Sequence, residues 1–301
     1  MKVLVIGGYG YTGSALVSYL TSQLINAVAV GRRTEDYNKL SPDYLNSFDR
    51  IVLLAGHSSV PMCLGPLKSP WLNNIVNFKD LLHKVEPSIP IIYASSSSVY
   101  SNSGSKLSKE DEISLEYVNN YDLTKTMLDL FAFKESMSNQ RCLIGLRFGT
   151  VNGASEIIRK ELMINSMVYN AMTQGSVIVT NKQVHRPLLG MQDLVRGIHA
   201  VICTSNSIIK RSHGQYNMAS FNTTVQEISN IVGEQLQVPV IEQGTTYGVY
   251  DFSISSEKFS KAFDFKFKET PYTIIEGLKQ AYHPSSNTML VSRTEYFNYG
   301  G

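Results

Sequence analysis

Residues 2–20 read KVLVIGGYGYTGSALVSYL: a short apolar run, a cluster of glycines, then apolar residues at helical spacing. A run as brief as Val3–Ile6, closed at once by glycine, fits a buried strand. Gly7, Gly10 and Gly13 form G-x-x-G-x-x-G between that strand and a helix expected from Thr12 to about Thr21. Glycines at such a junction permit a tight turn, let the backbone approach a pyrophosphate, and let helix pack closely on strand. The helix N-terminus then offers its free N–H groups to the anion. A glycine triplet alone also occurs in ordinary turns; the strand–turn–helix context is what points to a dinucleotide. Tyr9, Tyr11 and Thr12 share this turn and are expected beside the cofactor.

The next strand, AVAVGRRTEDY (27–37), ends without the carboxylate that would hold the ribose hydroxyls of NAD. Gly31 is followed instead by Arg32 and Arg33, and guanidinium groups suit a 2′-phosphate through bidentate, charge-assisted hydrogen bonds. NADP is therefore expected ahead of NAD, although Glu35 and Asp36 stand close enough to serve as alternatives. Sixteen residues separate Arg33 from Arg50, too few for a full βα unit, so a usual intermediate strand is expected to be abbreviated. FDRIVLLAGHSSV (48–60) is a third strand, with Leu54, Ala55 and Gly56 at its cofactor end.

A helix from about Trp71 to Val85, carrying Asn74, leads to IIYASSSSVYSNSG (91–104). Four serines in a row suggest a linker, yet they follow directly on a buried strand. Residues 114–136 then read as a helix with Tyr121 and Lys125 four apart on one face. An ammonium near a phenol favours the phenolate, and such a tyrosine can exchange a proton with a hydroxyl or carbonyl while hydride moves at a nicotinamide.

Composition excludes other classes. The chain has 301 residues, 43% hydrophobic and 17% charged, with a formal charge of +2. That is a globular balance, with no pull toward nucleic acid or a membrane surface and no apolar run of bilayer length. Cys63, Cys142 and Cys203 are far apart and not in metal spacing, so reduced packing thiols in a cytoplasmic protein are expected, with no metal.

Taken together, GGYGYTG, VLLAGHSSV, NNIVNFKDLL, YASSSSVY, YDLTK, LRFGTVNG, RPLLGMQDLVRGI and YNMASFNTTVQEIS make the chain resemble the extended short-chain dehydrogenase/reductases, the NAD-dependent epimerase/dehydratase group. The resemblance implies an α/β fold: a doubly wound Rossmann parallel sheet over 1–150, with parts of 176–220 returning to it, and a smaller substrate lobe mainly over 151–301. It implies Ser96 on the reacting oxygen, Tyr121 as acid/base and Lys125 on the nicotinamide ribose. It also implies Arg186 on a nucleotide diphosphate and Asp193 as a helix anchor, with Ser98 and Thr150 facing substrate. Arg147 reads as structural, Met163, Met167 and Met172 as core, and Thr224 with Glu227 as a capping box.

Two departures bear on chemistry. Dehydratases of the group place Asp-Glu after the catalytic threonine, where this chain has Ser97 and Ser98. Many sugar-nucleotide members carry asparagine at the position of Thr150 and a second arginine shortly before the last strand, absent from GTTYGVYDFSISSEKF (244–259). The resemblance thus implies an NADP(H)-linked enzyme acting on a nucleotide sugar by 4-keto reduction or 4-epimerisation, not a dehydratase. The alternatives are a reductase of a small carbonyl compound and a non-catalytic NADP-binding sensor. The expected partner is a small molecule, with neither nucleic acid nor membrane; a homodimer is compatible with this. The tail 284–301 carries no readable signal.

Overall fold

A computed structural model describes residues 1–31, 34–100, 103–114, 119–246, 249–283, 285–286 and 288–291. Six strands form one parallel sheet: β1 (Lys2–Ile6), β2 (Asn26–Val30), β3 (Arg50–Leu53), β4 (Ile91–Ser96), β5 (Leu143–Phe148) and β6 (Gly214–Met218). Their order across the sheet is β6-β5-β4-β3-β1-β2. Val3 to Ile6, Ile51 and Val52 are fully buried, as continuous apolar strands must be when helices cover both faces. Alternation along each strand divides them between two cores. Val3, Val5 and Val52 face Leu16 and Leu20 of helix α1 (Tyr11–Ser22), whereas Leu4, Ile6 and Ile51 face Phe78 and Leu82 of α2 (Asn77–Lys84) and Leu128 of α3 (Asn120–Asn139).

β2 is the sheet edge. The residues that would make a further strand fold as one turn at Tyr37–Lys39 and another at Pro42–Leu45. The abbreviation expected from the short spacing is therefore seen. Between β1 and β3 the chain changes direction across the sheet, which opens a crevice at the carboxyl ends of those strands.

Two boundaries differ from the sequence reading. The helical stretch expected from Trp71 begins at Lys68 and passes through a π turn, Leu72–Val76, before α2. The helix expected from residue 114 is described only from Asn120, where Asn119 caps it by accepting from the backbone of Tyr121 and Asp122. Residues 115–118 lie outside the described residues.

The later chain contributes a second, smaller layer. His185–Gly190 pairs antiparallel with Phe221–Thr224 and parallel with Thr150–Asn152. Helices Met163–Gln174, Val225–Leu236 and Pro271–Ala281 surround a separate core of Ile164, Val168, Ile228 and Leu278. Of the three methionines read as core, Met167 belongs there and Met163 packs against it while also lining a cavity; Met172 is exposed. The Thr224–Glu227 capping box forms. Met289–Val291, in the tail that had no readable signal, pairs with Ile157–Arg159.

Helix α4 (Met191–Cys203) packs against α1, and its buried Asp193 accepts from the backbone N–H groups of Lys268 and Glu269 and from the Ser220 hydroxyl. That is the anchoring the resemblance implied. Arg147 is structural too: its Nε donates to Asp129 at 2.7 Å and its Nη1 to the Tyr100 hydroxyl, all of them buried. Cys63 and Cys142 are buried, but Cys203 is exposed with His199 Nε2 at 3.2 Å.

Candidate active site

The glycine turn is built as its sequence requires. A Cβ on Gly13 would lie 2.0 Å from the Gly7 carbonyl oxygen, so only glycine lets α1 pass so close to β1. Gly7 has φ +89°, the left-handed region that side chains disfavour. Gly10 caps α1 in extended conformation, and its N–H donates to Gly7 O.

A cavity of about 370 Å³ adjoins this turn, lined by Gly7, Gly31, Ala55, Gly56 and residues 35–38. On it Asn38 Oδ1 is buried with no hydrogen-bond partner, while its Nδ2 donates to Asp36 at 3.0 Å. A cradle that excludes side chains, next to an orphaned acceptor in a pocket, fits the adenosine half of a dinucleotide. Arg32 and Arg33 lie outside the described residues.

A second cavity of about 330 Å³ continues from Gly56 past the ends of β4 and β5. Its lining brings together Tyr11, Thr12, Leu54, Ser96, Ser98, Tyr121, Lys125, Thr150 and Arg186. Residues as far apart as 11 and 186 thus share one wall. Tyr9 lines neither cavity, and its ring lies beside Gly31. Asn74, expected at the cofactor, also lines neither: its Oδ1 accepts from His57 N at 2.8 Å and its Nδ2 donates to Thr124 at 3.0 Å. It braces the end of β3 against α3 from within the π turn. The Tyr11 hydroxyl donates to Gly153 O and accepts from Asn165, so it tethers the second layer to the glycine turn.

The serine run is a strand end. Ser96 closes β4, and residues 97–100 make one 3-10 turn, all buried. Ser96 Oγ donates to Ser98 Oγ at 3.0 Å, accepts from Ser98 N at 3.2 Å, and is hydrogen-bonded to the Tyr121 phenol. Ser101 and Asn102 lie outside the described residues, while Leu107–Ser108 pairs with Ser253–Ile254.

The electrostatics depart from a simple ammonium–phenol pair. Burial pushes the Tyr121 phenol up to about 12, against the lowering effects of Ser96 and Arg159, with Cys63 and Asp122 adding to the rise. Burial pulls Lys125 down to about 8 against the opposing charge of Asp129. The Lys125 Nζ donates to Ala94 O at 2.9 Å and stands 5.9 Å from the Tyr121 ring centre. Proximity of the two side chains was legible from their spacing, but burial, which sequence spacing does not report, dominates both.

Arg186 donates through Nη1 to the Tyr250 carbonyl, and burial lowers it to about 10. The Asp251 charge opposes that lowering, while Asp193 pairs with Arg196. His185 bonds Asp251 at 2.9 Å and is not among the lining residues.

Among the lining residues that sequence reasoning missed are Arg159, Tyr250 and Phe252. Arg159 is 7% exposed, pairs with Glu161 at 2.7 Å and donates to Ser58 Oγ at 3.3 Å. The segment that lacks the family's second arginine supplies the two aromatic rings, and a second guanidinium reaches the cavity from Arg159. No local pattern marks these positions.

A six-stranded parallel sheet with a glycine turn at its switch point is the class this geometry defines, and the chain belongs to the NAD dependent epimerase/dehydratase family, whose model matches residues 3–219. Among solved structures it is similar to UDP-glucuronic acid 4-epimerase from Bacillus cereus in complex with UDP-glucuronic acid and NAD. The two are 18% identical over 94% of this chain and 100% of that one, with a TM-score of 0.80. It is also similar to dTDP-glucose 4,6-dehydratase from Bacillus anthracis in complex with NAD (20% identity, 96% and 98% coverage, TM-score 0.79). A third is RMD from Pseudomonas aeruginosa complexed with NADPH (17%, 93% and 98%, TM-score 0.74). At these identities the likeness is one of fold. Among the described residues, no helix is long and apolar enough to cross a membrane.

Proposed function

We propose that this chain is an NADP(H)-linked oxidoreductase acting at a secondary hydroxyl or ketone of a nucleotide sugar, with net 4-keto reduction favoured over 4-epimerisation. The observation that carries the reading is the convergence of Ser96, Tyr121, Lys125 and Arg186 on one cavity that joins the glycine-turn pocket at Gly56. The bound cofactor supplies or accepts the hydride. Ser96 hydrogen-bonds the reacting oxygen, Tyr121 gives it or takes from it the proton, and Lys125 holds the nicotinamide ribose. The phenol is neutral and so carries a proton that a carbonyl can take as it is reduced.

Dehydration needs groups to protonate a leaving hydroxyl and to abstract a carbon-bound proton. Ser97 and Ser98 hold those positions, and no carboxylate lines this cavity among the described residues. The NADP preference rests on Arg32 and Arg33 following Gly31. Half-buried Arg186 and buried Arg159, the latter paired with Glu161, bring two guanidiniums to the cavity, which favours an anionic nucleotide sugar over a small neutral carbonyl compound. A homodimer through α3 accords with Leu130, Phe133 and Met137, which expose an apolar stripe at helical spacing.

The test is a thermal-shift panel of NADP, NAD, UDP-glucose and UDP-glucuronic acid, followed by product analysis. Binding stabilises the folded state by mass action. Oxidation of either sugar by NADP, the reverse of 4-keto reduction, releases NADPH stoichiometrically, whereas epimerisation changes the sugar with none released. No stabilisation by any nucleotide sugar in the presence of NADP would sink the substrate class.

A further inference from the structure

Tyr250 belongs to no regular element, yet it joins the two functional ends of the cavity. Its hydroxyl donates to Asp122 Oδ1 at 2.7 Å and accepts from Asn119 Nδ2 at 2.7 Å. Asn119 Nδ2 also donates to Asp122 Oδ2 at 3.0 Å, and Asn119 Oδ1 accepts from the backbone of Tyr121 and Asp122 at 2.9 and 3.1 Å. These bonds close around the first turn of α3, with Tyr121 inside the ring. On its other side the Tyr250 carbonyl accepts from Arg186, whose guanidinium carbon lies 5.9 Å from the Tyr250 ring centre. Tyr250, Tyr121 and Arg186 line the same cavity.

A carboxylate in the first turn of a helix is ordinary, since it complements the helix dipole. Asp122 is not ordinary in its burial: it is 2% exposed. Burying an ion is costly unless it is fully bonded. One of its donors comes from a residue 128 positions away, on the segment that faces Arg186. A cap needed only for helix stability has no use for so distant a tie.

We propose that Tyr250 is a positioning residue which, through Asp122, locks the first turn of α3 and the Tyr121 hydroxyl to the arginine that faces the substrate. The inference rests on the roles given above to Tyr121 and Arg186. Tyr250→Phe keeps the ring that lines the cavity and the carbonyl that holds Arg186, and removes only the tie to Asp122 and Asn119. Loss of alignment should then fall on the chemical step and leave binding alone.

Two measurements on the full chain test this. The first needs no substrate: 3-fluorotyrosine is placed at position 121 and its fluorine resonance is followed against pH. The groups bearing on this phenol are Ser96, Cys63, Asp122, Arg159 and Tyr250 itself, with the Lys125 nitrogen beside the ring. Asp122→Asn removes an anion that favours the neutral phenol, so it should lower the titration midpoint. Tyr250→Phe should move or split the resonance at neutral pH; a signal identical to the parent's would overturn the proposal.

The second measurement is turnover of UDP-glucose and UDP-glucuronic acid, by oxidation with NADP or by epimerisation. Tyr250→Phe should lower kcat by about 10–100-fold, the scale of a small misplacement, with KM within about twofold of the parent. In an Asp122→Asn background the same change should add less than about twofold, because coupled residues are not additive. Multiplicative effects, a change confined to KM, or a lower melting temperature with unchanged kcat would each refute it. If the parent turns over neither sugar, the nucleotide-sugar reading fails, and the fluorine measurement decides the positioning role by itself.

Discussion

Tyr121→Phe separates catalysis from folding because the side chain enters the two ledgers so differently. The half-buried ring is preserved by phenylalanine; only the hydroxyl and its bond to Ser96 are removed. A neutral hydrogen bond contributes about 0.5–1.5 kcal/mol net, and here its loss also ends the burial of a polar oxygen. Ser96 keeps its bonds to Ser98 Oγ and Ser98 N. Stability should therefore fall by no more than about 1 kcal/mol. A positioned acid/base contributes about 10²–10⁴ in rate, or about 2.7–5.4 kcal/mol at 1.36 kcal/mol per decade. Turnover should drop by that factor while melting temperature and cofactor affinity hold. The assay is single-turnover hydride transfer followed by nicotinamide absorbance, beside a cofactor titration by fluorescence. Ser96→Ala should lose less, since it supplies a hydrogen bond and not the proton. A Tyr121→Phe protein within about threefold of the parent would refute the assignment outright, because no positioned acid/base has so small an effect.

Arg186→Ala should reduce kcat/KM for a nucleotide sugar by about 10–100-fold, the worth of a charged hydrogen bond, while titration shows unchanged NADPH affinity. Gly13→Ala drives a Cβ to 2.0 Å from the Gly7 carbonyl, backbone against backbone. It should cost at least about 1–3 kcal/mol in denaturant titrations and abolish cofactor binding, whereas Gly31→Ala meets Tyr9 Cδ2 at 3.4 Å and Gly7 Cα at 4.0 Å, ordinary contacts, and should be tolerated. Arg147→Met leaves the Asp129 charge buried without its ion-pair partner and should cost about 3–5 kcal/mol by urea denaturation, part of it regained with Asp129→Leu. Burial lowers Lys125 from 10.5 to about 8, so the folded state disfavours its proton in that window. Cofactor affinity should weaken as pH rises through about 8 and the ammonium is lost, a limb that calorimetry should find missing in Lys125→Met. For stability the sign is opposite: the burial penalty on the charged form is present below about 8 and is relieved as pH climbs toward 10.5.

Much of the fold was legible because it rests on local rules. Four apolar residues closed by Gly7 cannot be a long helix, and Gly13 must pass within a Cβ's reach of Gly7, so strand, turn and helix follow from chain geometry. The shortened spacing before Arg50 announced a sheet with one strand fewer at its edge. Tyr121 and Lys125 were legible as a pair since a helix repeats its face every four residues. The Ser96 assignment needed the resemblance as well, because four equal serines carry no local distinction.

Other features were decided only when distant segments met. Arg159 reads as one charge in an unremarkable run, and it enters the cavity because Ile157–Arg159 pairs with Met289–Val291, more than a hundred residues on. Tyr250 meets the first turn of α3 only once its segment crosses to Asp122. Asn74 turned from the cofactor to His57 and Thr124 because the π turn that carries it packs against α3. The sequence by itself determined the elements and their chemistry, since propensity and periodicity act over a few residues. Burial, and with it the protonation of Tyr121 and Lys125, depends on how much water the whole packed structure excludes, and that the tertiary structure alone decided.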